Sequence, residues 1–593
     1  MNITGERCPN SGAVLMIALS KGTSKYSLNL SQPDGAMGLS WGAGPEEVAI
    51  LLSTTGLLKK LDRRLIKMGI PSYFRNILQK YPGCLRREVT AVDVLCFDFN
   101  CLIYRCIRGP SMPPYPASAV SDPYEHDMWE GELLKEVVRV VREVWITAGR
   151  PKSVLLAVDG VVPMAKIRQQ RVRRFKSAWL RSASASASAS ASASSWDTNA
   201  ITPGTKFMEK LGTVLKGVVL GAECIVSGVD EEGEGEHKIM SWIRLGAAKC
   251  DNKGKNVVVY GLDADLILLT MLVGEECGLN MHLMREKQEF GGTRTGAEVA
   301  AVQEYQFLDV REFQRRVGPQ GREEVLNYIA LMSLMGNDFL PHSLTHKLAD
   351  GGHDCVIAEF SLLRKNGWLV DASGNYKISV LGGIFKRWAS DEDARMLYMI
   401  MKKEEQARRG VGKGMDTSEG LPLEWAVEKA LLSLGNSPEL DESWREVYWE
   451  NIHPYANHES RDNLCAEYLR GFQWILDYYQ GRSVNMSWMF PAWIPPLWSD
   501  LFGFCERRGD FLPVIEIAEI RPLPQEQLAM VLPLESWGLV RDGKLRRLPV
   551  QMPQMWPKKF GFFSLGRKWL WECEARIPVI TAGRLREEIG DAK

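Results

Sequence analysis

Seven acidic residues stand in places that a folded core does not ordinarily tolerate. Asp98 lies between Phe97 and Phe99 in VLCFDFN (94–100), Asp159 follows the apolar run of SVLLAVDG (153–160), and Asp263 and Asp265 sit in NVVVYGLDADLILL (256–269). Glu234 and Glu236 alternate with glycines in EEGEGEH (231–237), and Asp338 stands in MGNDFLPH, behind the apolar segment YIALMSLM. A charged carboxylate beside a core is costly unless compensated, and several brought together raise one another's pKa. Divalent cations remove both penalties. Mg²⁺, or Mn²⁺, takes oxygen ligands, and shared carboxylates suit a pair of ions. Two ions roughly 4 Å apart promote in-line displacement at phosphorus by activating water and stabilising the departing oxygen. Gly233 and Gly235 would let the chain turn tightly enough for both glutamates to reach them. Taken singly, each acid reads as a turn residue, a helix cap or solvated surface charge. The five segments together point to a metal site.

A second constellation follows Asp159. In MAKIRQQRVRRFKSAWLR (164–181), helical spacing places Lys166, Gln170, Arg173 and Arg174 on one face. Met164, Ile167, Phe175 and Ala178 form a separate apolar stripe, by which the helix is expected to dock on a sheet. Alone, such a face is a solvated basic surface. Beside the acidic set it offers cations and an amide to a phosphate. A terminal phosphate held there would fix the distance to the ions, so that cleavage falls after the first nucleotide.

The elements that must position these groups are those of an α/β domain. The runs at 94–100, 153–160 and 256–269 alternate with helix-like stretches at 133–145 and 237–245, which predicts a largely parallel sheet. Open sheets of this kind bind ligands beyond the carboxyl ends of their strands, where the aspartates lie. At 593 residues the chain exceeds the usual reach of one core. Its 73 basic and 73 acidic residues give a formal net charge of zero. Attraction to a polyanion must therefore come from local segregation of charge. The 12 cysteines form no CxxC pair, which argues against a disulfide framework or a structural zinc site and suits a reducing, cytoplasmic setting. No apolar stretch approaches 18 residues, so no membrane span is expected.

Four stretches differ in texture. Residues 1–67 read as loop, partly disordered, with a helical pattern at 48–67; 68–345 carry the acids and the basic helix. Residues 346–460 read as a connecting, partly helical region, and 461–593 as an aromatic-rich part completing the core. The Ala-Ser tract at 183–195 reads as a flexible surface loop.

Taken in order, MGIPSYFRNILQKYP, VLCFDFN, AVDGVVPMAKIRQQRVRRFKSA, WDTNAITPGTKFM, GEGEHKIMSWIR, YGLDADLILL, MGNDFLPH, GFQWILDYYQG, SWMFP and QLAMVLP resemble the XRN family of 5′→3′ exoribonucleases over about residues 68–590. The resemblance implies an α/β fold with a mixed, mostly parallel sheet flanked by helices (5′-nuclease-like) and a mixed helical, aromatic-rich C-terminal part. It implies hydrolysis of single-stranded RNA bearing a 5′ monophosphate to nucleoside 5′-monophosphates, with two Mg²⁺ or Mn²⁺ ions. Asp98, Asp159, Glu234, Glu236, Asp263, Asp265 and Asp338 would be the metal ligands, and Lys166, Gln170, Arg173 and Arg174 the 5′-phosphate pocket. The family stacks terminal bases between a histidine and a tryptophan. Tyr104 stands in place of the histidine and Trp488 matches the tryptophan, so stacking survives without the imidazole's charge. Asn327 replaces a usual aspartate, which would loosen a contact behind the metals. Residues 1–67 precede the family's opening segment and are the stretch expected to dock a protein partner. A flap-type or DNA-directed 5′ nuclease, and a scaffold that keeps the fold without turnover, remain open alternatives.

Overall fold

The computed structural model describes residues 73–590 apart from 188–194, 250–253, 288–303, 409–427, 429, 434–437, 453–457, 511–517 and 568–572. It also describes three short strands nearer the N-terminus. These strands, β1 (Val14–Ile17), β2 (Tyr26–Asn29) and β3 (Gly38–Leu39), pair in sequence order as an antiparallel sheet. The expectation of loop is corrected there, while the helix expected at 48–67 lies outside the described residues.

The main sheet has seven strands: β4 (Leu85–Arg86), β5 (Val94–Asp98), β6 (Ser153–Ala157), β7 (Glu223–Ser227), β8 (Asn256–Tyr260), β9 (Asn280–Glu286) and β10 (Tyr305–Asp309). Their order is β4-β10-β9-β8-β5-β6-β7. The pairs from β9 through to β7 are parallel, and β10 runs antiparallel to both β9 and β4. The strands β5, β6 and β8 are apolar except at one end residue each, Asp98, Ser153 and Asn256, because both faces are covered. Leu95, Phe97, Val154, Leu156, Val258 and Tyr260 point to one side, where α1 (Asn100–Arg108) and the helices Pro123–Thr147 and Lys206–Lys216 pack. Cys96, Leu155, Ala157, Val257 and Val259 point to the other, consistent with the period of two along a strand.

The basic stretch forms α2 (Met164–Ala187). On the second face of the sheet lie α3 (Gly235–Lys249), α4 (Asp265–Cys277) and α5 (Gly321–Ser333), continuous with a helical region that includes α6 (His458–Tyr479). The apolar run at 256–269 is therefore not one element: β8 stops at Tyr260 and α4 starts at Asp265, with the two aspartates at the junction.

The basic helix α2 docks differently from the expectation. Met164, Ile167, Val172 and Phe175 pack against residues 528–532, Leu545, Trp556 and Leu585 of the C-terminal part rather than on the sheet. Arg168 donates to the carbonyls of Phe490 and Ala492, Arg171 to those of Pro578, Met530 and Met555, and Lys176 to that of Cys573. These buried cations are satisfied by carbonyl dipoles and tie the helix to chain segments more than 300 residues away. The tract read as a loop is helical in its first part, since α2 runs on to Ala187 through alanines of high helix propensity; 188–194 lie outside the described residues. Among the described residues, no helix is long and apolar enough to cross a membrane.

Candidate metal centre and basic helix face

Because β8, β5 and β6 are neighbours, the aspartates at their ends leave the sheet along one edge. Asp98 is the last residue of β5, and Asp159 and Asp263 follow shortly after β6 and β8. Glycine is required where the glutamate turn meets this edge. A Cβ on Gly235 would lie 2.8 Å from both Asp98 Oδ1 and the Ala157 carbonyl, and 3.4 Å from Asp159 Oδ1. Gly233, with φ of 105°, makes the left-handed turn before it. The Gly235 N–H donates to Asp159 Oδ1 at 2.7 Å, and the Asn100 amide donates to Asp159 Oδ2 at 2.8 Å. Glu236 stands in the first turn of α3, and Asp265 is the first residue of α4. Behind α5, Asn337 Oδ1 accepts from the backbone N–H groups of Phe339 and Leu340. Asn337 is thus the turn residue of the pair, and it leaves Asp338 to the cluster.

Electrostatics join the seven acids. Burial, then Asp159 and Asp263, push the Asp98 carboxyl well above the usual range. Burial, then Glu234 and Asp265, do the same to Glu236. Glu234 is raised by burial against the opposing charge of Lys166. Asp263 is pushed up to about 7 by burial, with Asp338 and Asp265 adding and Lys166 and Arg173 opposing. Buried acids that crowd in this way want a cation. Glu234, Glu236 and His237 have potential ligand atoms within 4.8 Å of one another, and Glu236 Oε2 is buried with no hydrogen-bond partner. Orphaned carboxylate oxygen is a donor set that fits a hard divalent ion.

A second group with metal-ligand spacing, His126, Asp127 and Glu130, lies near the start of the helix Pro123–Thr147. There Lys210 already reaches Asp127 at 2.8 Å and Glu130 at 2.9 Å, and Trp196 donates to Glu130.

The structure brings the basic face of α2 to the acids, with one change of role. Lys166, expected to meet phosphate, is buried between carboxylates: its Nζ is 2.5 Å from Glu234 Oε1 and 2.7 Å from Asp338 Oδ2. Burial pulls its pKa down, but Asp338 and Glu234 outweigh it and raise the pKa well above the usual lysine value. Gln170 is buried with its Oε1 unpartnered. Arg173 lies close enough to lower the pKa of Asp263. Arg174 is buried, donates to Thr202 Oγ1 at 2.5 Å, and feels Tyr104 and Asp159.

Tyr104 is half-buried on α1, with the Arg108 guanidinium 5.9 Å from its ring centre. Trp488, expected to stack a base, is buried in this structure. It is 2% exposed, stacks on Trp474 at 5.2 Å, and donates its indole N–H to Glu467 at 3.0 Å. At that burial the indole offers no open face to a base in this arrangement. Asn327 also has a structural role: it bonds to the Glu323 carbonyl and the Val370 N–H, neither of them part of the acidic cluster.

Sequence reasoning missed Asn100, His237, Tyr478 and Tyr479. The Tyr478 hydroxyl donates to Glu234 Oε2 at 3.1 Å, and that of Tyr479 to Asp265 Oδ2 at 3.0 Å. The His237 ring lies 3.6 Å from that of Tyr478 and is kept neutral, its pKa brought to about 3 by burial and by Lys166 and Arg244. The doublet in LDYYQ was visible only as an aromatic run.

Known proteins resemble this chain over the stretches that carry most of these residues. The signature of the XRN 5'-3' exonuclease N-terminus matches residues 68–287, and that of the Xrn1 helical domain matches residues 440–593. The human protein named 5'-3' exoribonuclease 1 is 27% identical over 612 residues, which cover 88% of this chain and 34% of its own. Its Schizosaccharomyces pombe counterpart is 25% identical over 659 residues, covering 87% and 48%. The Drosophila melanogaster 5'-3' exoribonuclease 2 homolog is 25% identical over 656 residues, covering 87% and 70%. The chain thus spans about a third to a half of the length of the first two relatives. Asp98, Asp159, Glu234, Glu236, Asp263 and Asp265 fall within the first signature, and Tyr478 and Tyr479 within the second. This chain belongs to the XRN family and carries both its exonuclease N-terminus and its helical domain.

Proposed function

We propose that this protein, on a 5′-nuclease-like fold, hydrolyses single-stranded RNA bearing a 5′ monophosphate, one nucleotide at a time from that end, releasing nucleoside 5′-monophosphates. The observation that carries the reading is the contact of Lys166, on the cationic face of α2, with Glu234 at 2.5 Å and Asp338 at 2.7 Å, which supports a shared site for that face and the carboxylate cluster. The relatives' shared description as 5'-3' exoribonucleases favours this polarity and RNA as the substrate.

Two Mg²⁺ or Mn²⁺ ions, held by Asp98, Asp159, Glu234, Glu236, Asp263, Asp265 and Asp338, would supply the charge that favours attack by water and departure of the 3′ oxygen. The protein's own groups do the rest. Arg173, Arg174 and Gln170 bind the terminal phosphate and set its distance from the acids. Lys166 fixes Glu234 relative to Asp338. Tyr104 offers a ring face on which a base of any identity stacks.

The test is product analysis on 5′-radiolabelled RNA and on a matched DNA strand, with Mg²⁺ and with chelator. Mg²⁺-dependent release of labelled mononucleotide from RNA, abolished in Asp263→Ala, is the expected result. Equal degradation of the DNA would favour a DNA-directed nuclease. Binding of metal and RNA without turnover would favour a scaffold.

A further inference from the structure

We infer that Tyr478 and Tyr479 are positioning residues through which the C-terminal helix α6 sets the geometry of two metal ligands, Glu234 and Asp265. The inference rests on the metal reading above and extends it to residues outside the acidic set.

Successive residues on a helix point about 100° apart, so two adjacent side chains rarely serve one site from the flank of a helix. Here both do, because they are the final residues of α6, which ends against the starts of α3 and α4. Tyr478 is locked in place. Its ring stacks on Trp474 at 5.0 Å, meets Phe339 edge-on at 5.5 Å, and covers His237 at 3.6 Å. Tyr479 is 1% exposed. Two phenols with so little freedom deliver their O–H groups to fixed points in space.

The acceptors divide the work. Glu234 takes Lys166 on Oε1 and Tyr478 on Oε2, so its carboxylate plane is defined from both ends. Asp265 takes Tyr479 on Oδ2. Each carboxylate oxygen has two acceptor directions, so a donated O–H orients the group and still leaves lone pairs for an ion. Outer partners of this kind keep ligands in one rotamer, and their loss typically weakens metal affinity about 10–100-fold. The ligands lie in the stretch matching the exonuclease N-terminus and the tyrosines in that matching the helical domain. The metal centre is therefore assembled from both, and displacement of α6 would be felt at the ions.

The experiment uses the full chain with Tyr478→Phe, Tyr479→Phe and the double substitution. Phenylalanine keeps the stacking and removes only the O–H. Mn²⁺ binding is followed by titration and by its electron paramagnetic resonance spectrum, and kcat and KM are measured on 5′-monophosphorylated RNA. Melting in chelator identifies any variant that has lost its fold, and the other single variant then carries the comparison. The expected result is Mn²⁺ affinity about 10-fold or more weaker, an altered Mn²⁺ line shape, and kcat reduced while KM for RNA stays within about twofold, since the tyrosines touch no substrate. Wild-type affinity and line shape in both single variants would overturn the assignment. A wild-type chain that binds no Mn²⁺ would overturn the metal reading itself, which is a separate and recognisable outcome.

Discussion

The Lys166 ammonium lies 2.5 Å from Glu234 and 2.7 Å from Asp338, with all three side chains almost fully buried. An internal cation therefore stands among the acids, in addition to whatever ions they hold. It gives a physical reason why so many carboxylates can share a pocket: part of their repulsion is offset by a covalently attached charge. It also ties α2 to Glu234 and Asp338, so that the phosphate-binding and metal-holding roles proposed for α2 and for these acids would share one framework.

Removing that charge tests this role. Breaking a buried pair from one side typically costs about 3–5 kcal/mol, because the partner is left uncompensated. Lys166→Met keeps the chain length and deletes the ammonium. Its melting temperature should fall in chelator and recover in part with Mg²⁺, which takes over the neutralisation. An equal drop in both conditions would show that Lys166 acts by packing alone.

The raised carboxyls predict how stability depends on pH. In the unfolded chain Asp and Glu titrate near about 4, whereas Asp263 is held up to about 7, and Asp98, Glu234 and Glu236 are displaced in the same direction. The folded state then binds more protons than the unfolded one in that window. The contribution is full below the unfolded values and is lost as pH rises through the folded ones. Buried His237, His346 and His353, shifted down to about 3, 3 and 4, act with the opposite sign, adding stability as pH rises, but only below about 6.5. Above that, the carboxylates dominate. Metal-free protein should lose melting temperature between about pH 6.5 and 8, and Mg²⁺ should stabilise more at the upper end because it no longer competes with protons. Asp263→Asn should flatten the metal-free profile near neutrality; a profile as steep as the wild type's would remove Asp263 as its source.

How much of this was legible in the sequence depended on what each residue needs in order to be recognised. The strands β5, β6 and β8 were readable because burial on both faces leaves four consecutive apolar residues in each. The edge strand β7, ECIVS, was not, because Ile225 is 36% exposed and Glu223 faces solvent. The acids could be chosen because a carboxylate after a buried strand is anomalous in itself. The cations of α2 could not be sorted by type. Arg171 and Arg173 look alike in sequence, and only the carbonyls of Met530, Met555 and Pro578 show that Arg171 holds the fold. Tyr478 and Tyr479 reach acids more than 200 positions away, a relation that no local pattern carries.

The aromatic pair expected to stack bases separates into two roles that mutation can distinguish. Trp488 is core: replacing a buried Trp by Ala typically costs about 3–5 kcal/mol, and here it would also strip the hydrogen bond from Glu467. Trp488→Ala should lower the melting temperature with or without RNA. Tyr104→Ala, on a half-buried ring, should leave melting nearly unchanged and raise KM for RNA, since one base–aromatic stack is worth about 1–3 kcal/mol. Intact stability in Trp488→Ala together with a large loss of RNA affinity would reverse this division and imply that the indole swings out to meet substrate.

Arg173 makes the sharpest claim about substrate choice. Arg173 shares α2 with Arg168 and Arg171, which bond to backbone carbonyls, and with Lys166, which lies between carboxylates. Its charge reaches Asp263, so a phosphate bound to it would lie beside the acids. A charge-assisted hydrogen bond to phosphate contributes about 1.5–3 kcal/mol, equivalent to roughly ten- to a hundredfold in kcat/KM. Arg173→Ala should therefore erase most of the preference for 5′-monophosphate over 5′-hydroxyl RNA, while affinity for Mn²⁺ changes far less. The check is competition between the two RNAs at limiting enzyme. A variant that keeps its preference would place the phosphate elsewhere, and with it the reading of α2 as the element that measures one nucleotide from the end.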